Sequence, residues 1–188
     1  MADLVYTANV SVDGYTEDAD GRLDWSQPDQ EVFSFITELE RSAGTYLYGR
    51  RMYEAMLYWE TATPDEEHLR QFAQMWRDAD KVVYSRSLAS VTSARTTLEH
   101  AFDPDAVRRL KASASRRITI GGADLAGQAL AAGLVDEIRL LIVPVILGGG
   151  KPALPTGVNL QLQLLETRRF DNGVVYLRYR VDGNPGTP

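Results

Sequence analysis

The chain has 188 residues, no cysteine, and a formal net charge of -6. Its length suits one domain with a sizeable core, and the missing cysteine excludes disulfides, thiolate catalysis and Cys-based zinc sites. The acidic balance argues against nucleic-acid partners, because non-specific binding there depends on Lys and Arg neutralising phosphates. The N-terminus, MADLVYTANVSVDG, lacks a basic region followed by an apolar run of signal length. No stretch reaches the roughly 18–20 apolar residues of a membrane helix. A cytoplasmic setting with no membrane partner is the expectation.

In chain order, Leu4, Tyr6, Ala8 and Val10 alternate as in a strand. A Gly- and Asp-rich loop covers residues 13–24. Pro28-Asp29 opens a helix whose apolar positions are Val32, Phe35, Ile36, Leu39 and Ala43, with Gly44 as its stop. Residues 45–48 (TYLY) read as a strand ending at Gly49. Residues 51–59 and 64–77 read as helices, the second with an acidic first turn suited to the helix dipole. Residues 81–84 (KVVY) read as a strand, and Asp103-Pro104 starts a helix to about Ala112.

Residues 117–120 (RITI) form a strand, and Gly121-Gly122 leads into a helix over 123–132 capped by Gly133. A largely apolar strand, 137–145, reads as central and covered on both faces. Two final strands, 160–170 and 174–181, join at Asp171-Asn172-Gly173, a hairpin signal. The pattern predicts an α/β sandwich of three layers. Its mixed, mostly parallel central sheet carries helices on both faces and ends in an antiparallel hairpin. The domain is expected to span 1–181, with 182–188 (DGNPGTP) a disordered tail.

Four places can carry chemistry. Gly49-Arg50-Arg51-Met52 lies where a strand becomes a helix, so backbone amides and two forked guanidinium groups suit phosphate. Ser85-Arg86 follows a strand end, where ligands of open α/β sheets gather. Gly121-Gly122-Ala123-Asp124-Leu125 is strand, double glycine and helix, the best phosphate corner in the chain. Its spacing is not G-x-G-x-x-G, because position 123 is alanine. Asp124 is expected to point outward. Leu147-Gly148-Gly149-Gly150-Lys151 fails as a P-loop, since Val145 and Pro152 stand where Gly and Ser or Thr are needed. It reads instead as a flexible loop. His68 and His100 belong to no ligand-spaced set, and no metal site is expected.

Taken in order, five segments resemble the dihydrofolate reductase superfamily, in particular the reductase domain of the riboflavin-biosynthesis deaminase-reductase. They are Ser11-Val12-Asp13-Gly14-Tyr15, Gly49-Arg50-Arg51-Met52-Tyr53-Glu54, Val83-Tyr84-Ser85-Arg86-Ser87-Leu88, Ile120-Gly121-Gly122-Ala123-Asp124-Leu125, and Val143-Pro144-Val145-Ile146-Leu147-Gly148. The resemblance implies an NADPH-dependent reductase acting on a small heterocycle at a C=N bond. It also implies a homodimer paired through sheet-edge strands, with residues 160–181 as the interface. It places the 2′-phosphate and adenosine side at Gly49, Arg50, Arg51, Met52, Ser85 and Arg86. The pyrophosphate falls at Gly121, Gly122, Ala123, Asp124 and Leu125, and the nicotinamide near Ala8, Gly14 and Tyr15. It further implies an unusual, cis-type peptide at the paired glycines.

Dihydrofolate reductases use a carboxylate on the helix after the mobile loop. Counting from Trp25 and Pro28, that position is Gln30, which cannot protonate a pterin. The catalytic candidates are therefore Asp13 and the neighbouring Glu31. Trp25, Phe33 and Trp59 are the candidate substrate contacts, flat rings suited to a planar heterocycle. A flavin-dependent reductase and a catalytically inactive NADPH-binding protein stand as alternatives.

Overall fold

The computed structural model describes residues 1–182. Among these, the elements run β1 Leu4–Ser11, β2 Tyr15–Glu17, α1 Gln30–Glu40, β3 Ala43–Gly49, α2 Arg50–Met56, α3 Tyr58–Thr61, α4 Glu67–Asp78, β4 Asp80–Tyr84 and β5 Thr96–Glu99. They continue with α5 Pro104–Ser113, β6 Arg117–Gly121, α6 Ala123–Ala131, β7 Glu137–Val143, β8 Lys151–Pro152, β9 Gln161–Arg169 and β10 Val175–Asp182. Asp182 is paired in β10, one residue beyond the expected domain end. The rest of the expected tail, 183–188, lies outside the described residues.

Eight strands form one sheet in the order β5-β4-β3-β6-β1-β7-β10-β9. Pairings from β5 to β7 are parallel; β10 runs antiparallel to both β7 and β9. This is the predicted mixed sandwich with its terminal hairpin. Alternation along each strand sends one set of side chains to each helical layer. Leu4, Tyr6, Leu47, Ile118, Ile120 and Ile138 pack with Val107 of α5 and Leu125, Ala126, Ala129 and Leu130 of α6. On the other face, Tyr46, Tyr48 and Val83 meet Tyr53 of α2 and Trp76 of α4. Val32 of α1 packs with Leu141, Phe170, Val174 and Tyr176. Each fully buried Leu or Ile contributes about 1.5–3 kcal/mol.

Local chemistry sets the ends of α1. Asp29 caps its start by accepting from the Val32 amide at 2.9 Å. At its C-terminus, Arg117 Nη1 donates to the Leu39 carbonyl at 3.0 Å, a cationic cap on a partly buried helix end. The helix stops at Glu40, and Gly44 lies inside β3 instead of marking the stop.

Other expectations are adjusted. The helix expected over 51–59 breaks at Leu57, where hydrogen bonding changes from Leu57 N to Tyr53 O, an i−4 bond, to Glu60 N to Leu57 O, an i−3 bond. Helix α4 starts at Glu67, three residues after Pro64. Three strands escaped the pattern, among them β2, which lies inside the expected loop 13–24. β5 has four residues, and β8 has two, which pair with β2 as a small separate strap. No helix among the described residues is long and apolar enough to cross a membrane.

Candidate active site

The strand order decides where the glycine and arginine corners meet. β4, β3, β6 and β1 are consecutive neighbours, and β4, β3 and β6 end at Tyr84, Gly49 and Gly121. Their carboxyl ends therefore open on one cavity of about 1020 Å³. Its lining includes Gly49, Arg50, Arg51, Met52, Ser85, Arg86, Gly121, Gly122, Ala123, Asp124, Leu125 and Ala8. The double-glycine corner and the paired-arginine corner, far apart in sequence, share this space.

At the double-glycine corner, Gly122 sits at φ 98°, a conformation L side chains rarely adopt. A Cβ on Gly121 would come within 3.0 Å of the Tyr48 ring and 3.2 Å of Met52 Cγ. Neither residue tolerates a side chain without cost. All peptide bonds are trans among the described residues, so the corner turns through Gly122 and not through the implied cis peptide. Helix α6 starts there with no side-chain cap, and its first intrahelical bond is Ala126 N to Gly122 O. The preceding amides, which line the cavity, are free to meet an anion.

Three cations around the cavity, Arg50, Arg51 and Lys151, are each held by an internal acid. Arg50 donates to Glu54 at 2.7 Å and to Ser87 Oγ at 3.0 Å. Arg51 donates to Glu17 at 2.7 Å and to the Gly21 carbonyl at 3.2 Å. Lys151, from β8, pairs with Asp124 at 2.5 Å. Asp124 is thus largely exposed, as expected, but its carboxylate is bridged to the strap. Ser85 is buried and accepts from the Ser87 and Leu88 amides, shaping its turn, while Arg86 stands exposed at the rim.

The sheet also splits here. β1 pairs with β6 only from Leu4 to Tyr6, then the chain of β6 departs at the glycines. From Thr7 to Asn9, β1 keeps β7 on one side and faces the cavity without a strand partner on the other.

From this split the cavity continues between α1 and the sheet. Thr7, Asn9, Ile36, Glu40, Tyr46, Phe72 and Thr119 line that part. Thr119 Oγ1 donates to Glu40 Oε2 at 2.9 Å. Burial pushes the Glu40 carboxyl above the usual carboxylate range, against the pull of Thr119, Arg139, Arg117 and Thr7. Burial likewise raises the Tyr46 phenol, with Glu40 adding to the effect.

Several expected site residues lie elsewhere. Asp13 is exposed, outside the lining, and its carboxylate accepts from the Leu147 and Gly148 amides at 3.1 and 2.7 Å. The Ser11 hydroxyl and those amides hold its carboxyl below the usual range. Asp13 therefore anchors the 147–150 loop, which is pinned, and offers no proton to the cavity. Glu31 faces outward and pairs with Arg168 at 3.0 Å, because its place in the first turn of α1 points it at the hairpin. Neither catalytic candidate reaches the cavity.

Gly14 and Tyr15 sit in the strap beside Pro152 and Ala153, and it is their neighbours Thr16 and Glu17 that line the cavity. Phe33 and Trp59 are also displaced from the expected role. Phe33 packs on Trp59, His68 and Phe72 at centroid distances of 5.8, 5.7 and 5.2 Å, and from this cluster only Phe72 reaches the lining. They are helix-packing aromatics of α1, α3 and α4. Trp25 lies in a short 3-10 turn, outside the lining, donating to the Arg22 carbonyl at 3.2 Å.

The lining also holds residues the sequence reading missed: Thr7, Asn9, Glu40, Tyr46, Thr119, His100, Phe102 and Lys151. Glu40 had a signal. It continues the Val32–Ile36 row at a spacing of four, an acid on an otherwise apolar stripe.

A mixed, mostly parallel sheet between helical layers, its strand ends converging on bare amides and guanidinium groups, defines the dihydrofolate reductase-like fold. The family model described as the RibD C-terminal domain matches residues 2–176, and the chain belongs to that family. It is 30% identical over 187 residues to YyaP of Bacillus subtilis (strain 168), covering 96% of this chain and 95% of that protein. A pyrimidine reductase-like protein from Corynebacterium diphtheriae superposes with a TM-score of 0.70 at 17% identity, covering 97% and 93% of the two chains. Dihydrofolate reductase from Enterococcus faecalis, complexed with NADP(H), superposes with a TM-score of 0.66 at 14% identity, covering 96% and 97%.

Proposed function

We propose that the chain is an NADPH-dependent reductase that delivers hydride to a C=N bond of a small planar substrate, in a cytoplasmic setting. One observation carries the reading: the double-glycine corner, the paired arginines and the open edge of β1 line the same cavity. Membership of a reductase-domain family and a fold shared with an NADP(H)-complexed reductase support it.

The residues present fit the cofactor. Free amides at the start of α6 and the absent side chains of Gly121 and Gly122 suit a pyrophosphate. Arg50, Arg51, Ser85 and Arg86 suit a 2′-phosphate, which carries about two negative charges. The unpaired edge beside Ala8 suits the carboxamide of a nicotinamide, which needs backbone donors and acceptors. When bound, the cofactor supplies the hydride. The chain's share is to fix the ring against the α1 side of the cavity, to keep water from the reacting carbon, and to place a proton-bearing group there. Glu40 takes that last place in preference to Asp13 and Glu31, which lie outside.

Thermal-shift measurements with NADPH, NADH and FMN test the reading. NADPH should raise the melting temperature well above NADH, with no response to FMN. Equal responses to NADPH and NADH would remove the 2′-phosphate assignment, and a response to FMN alone would replace the cofactor. A second part of the proposal is a homodimer formed along β9, an edge strand exposed over all nine residues.

A further inference from the structure

The positive charge of the cavity is confined to its strand-end side. Arg50, Arg51, Arg86 and Lys151 are the lysine and arginine residues of the lining. Arg50 and Arg51 open α2, Arg86 follows β4, and Lys151 reaches the first turn of α6. His100 lies on the same side, its Nδ1 3.1 Å from the Ser85 carbonyl. Two of the cations are already offset by lining acids, Arg51 by Glu17 and Lys151 by Asp124.

The proposed cofactor uses this charge up. A 2′-phosphate brings about two negative charges, and a pyrophosphate about one for each of its phosphates. Four lining cations match that total and leave none over for a second phosphorylated molecule.

The α1 end of the cavity is of a different kind. Asn9, Leu23, Ser26, Ile36 and Phe72 line it with amide, hydroxyl and apolar groups. The Asn9 amide is itself turned to the Ser26 carbonyl, at 3.2 Å. The ionisable groups there, Glu40 and Tyr46, are both acids and can add only negative charge. Cations around α1 are engaged elsewhere. Arg22 pairs with Asp18 and Asp20 at 3.1 and 2.7 Å. Arg117 donates to the Leu39 carbonyl at 3.0 Å, Arg139 to Glu137 at 2.6 Å, and Arg168 to Glu31 at 3.0 Å. Arg77 donates to the Trp59 carbonyl at 3.0 Å. None of these five belongs to the lining. Residues 183–188 contain no Lys or Arg that could be added.

An anion entering the α1 end loses its water and meets no counter-charge, a cost that a neutral group of the same size escapes. We propose that this end of the cavity takes an uncharged substrate without a phosphate group, and that the division of charge along the cavity excludes phosphorylated compounds from it. The proposal rests on reading the strand-end side as the cofactor site, and it names the substrate class of the remainder. Phosphate is recognised at one end only; the substrate is held by amide, hydroxyl and apolar contacts.

Ribose 5-phosphate is the probe, titrated calorimetrically into the full chain saturated with NADPH. Wild type should show no binding. A ternary complex, with NADPH still bound, overturns the proposal. Leu23→Arg and Ser26→Arg each place a cation at the α1 end, and Leu23 is exposed enough, at 46%, to accept the change. At least one should bind ribose 5-phosphate in the NADPH complex about tenfold or more tighter than wild type. No gain in either variant means that size and not charge keeps the probe out, which also overturns the proposal. Failure of the cofactor reading is seen separately, as no binding of NADPH. The triple variant Arg50→Ala, Arg51→Ala, Lys151→Ala then tests the α1 end without cofactor. It should bind ribose 5-phosphate more weakly than wild type or not at all, and undiminished binding would place a phosphate site outside the strand-end cations and sink the inference.

Discussion

Lys151 Nζ stands 2.5 Å from Asp124 Oδ2, so the strap of β2 and β8 is tied to the first turn of α6 at the glycine corner. The pair neutralises an acid that would otherwise repel a phosphate at that helix start. Lys151→Ala should therefore weaken NADPH binding roughly tenfold or more, while Asp124→Asn should leave it unchanged or tighter. Folding stability should move by no more than about 1 kcal/mol in either variant, as for other solvent-facing ion pairs. Titration by NADPH fluorescence, with melting temperatures alongside, checks both statements.

Arg50 and Arg51 enter the cavity from the same turn and are kept in place by Glu54, Ser87 and Glu17. The double variant Arg50→Ala, Arg51→Ala should lose about 10–100-fold in NADPH affinity. NADH affinity should change far less. An equal loss for both cofactors would show that the guanidinium groups act on a shared part of the nucleotide and not on the 2′-phosphate.

Gly150 holds the strap by what it lacks. Its φ is 132°, and a Cβ there would overlap the Glu17 carbonyl. Gly150→Ala should force β8 away from β2, release the Arg51–Glu17 side of the cavity and lower stability by about 1–3 kcal/mol. Amide exchange at residues 15–17 is the direct readout. Protection unchanged from wild type would refute the account.

Glu40 carries a pH signature. Burial places its folded carboxyl above the ordinary glutamate value of 4.5. As pH rises through that ordinary value, the unfolded chain releases this proton before the folded one does. Stability from Glu40 is thus fully present below 4.5 and is lost as pH climbs to the folded value. Glu40→Gln removes the effect. Its stability relative to wild type should improve as pH rises from ~4 to ~8, measured by denaturant unfolding. A pH-independent difference would mean that Glu40 is not held neutral in the fold.

Leu162 and Leu164 lie on β9 at 38% and 51% exposure, on the sheet's outer edge. If β9 pairs two chains, the double variant Leu162→Glu, Leu164→Glu should convert a dimer into a monomer in light scattering, with NADPH binding retained. A wild type that is monomeric at micromolar concentration removes the dimer proposal.

Much of the fold was legible because its signals are local. Asp29 before an apolar helical row, the Gly121-Gly122 turn, and the Asn172-Gly173 hairpin each act within a few residues. β5 and β8 were not legible, since strands of four and two residues exist only through the neighbours that pair with them. Phe33 and Trp59 misled for the opposite reason. Aromatic spacing on a helix marks a buried face, and whether that face meets a ligand or another helix depends on which helix packs there; here it is α4.

By itself the sequence determined most of the elements, the glycine and arginine corners and the family, because turn glycines, caps and paired arginines act on backbone beside them. Only the tertiary structure decided which acid faces the cavity. Glu31 and Glu40 lie on one helix, nine residues apart. Which of them is solvated beside Arg168 and which is enclosed with Thr7, Tyr46 and Thr119 follows from how α1 lies on the sheet. That choice is made by contacts between segments as far apart as residues 7 and 119, and no local pattern encodes them.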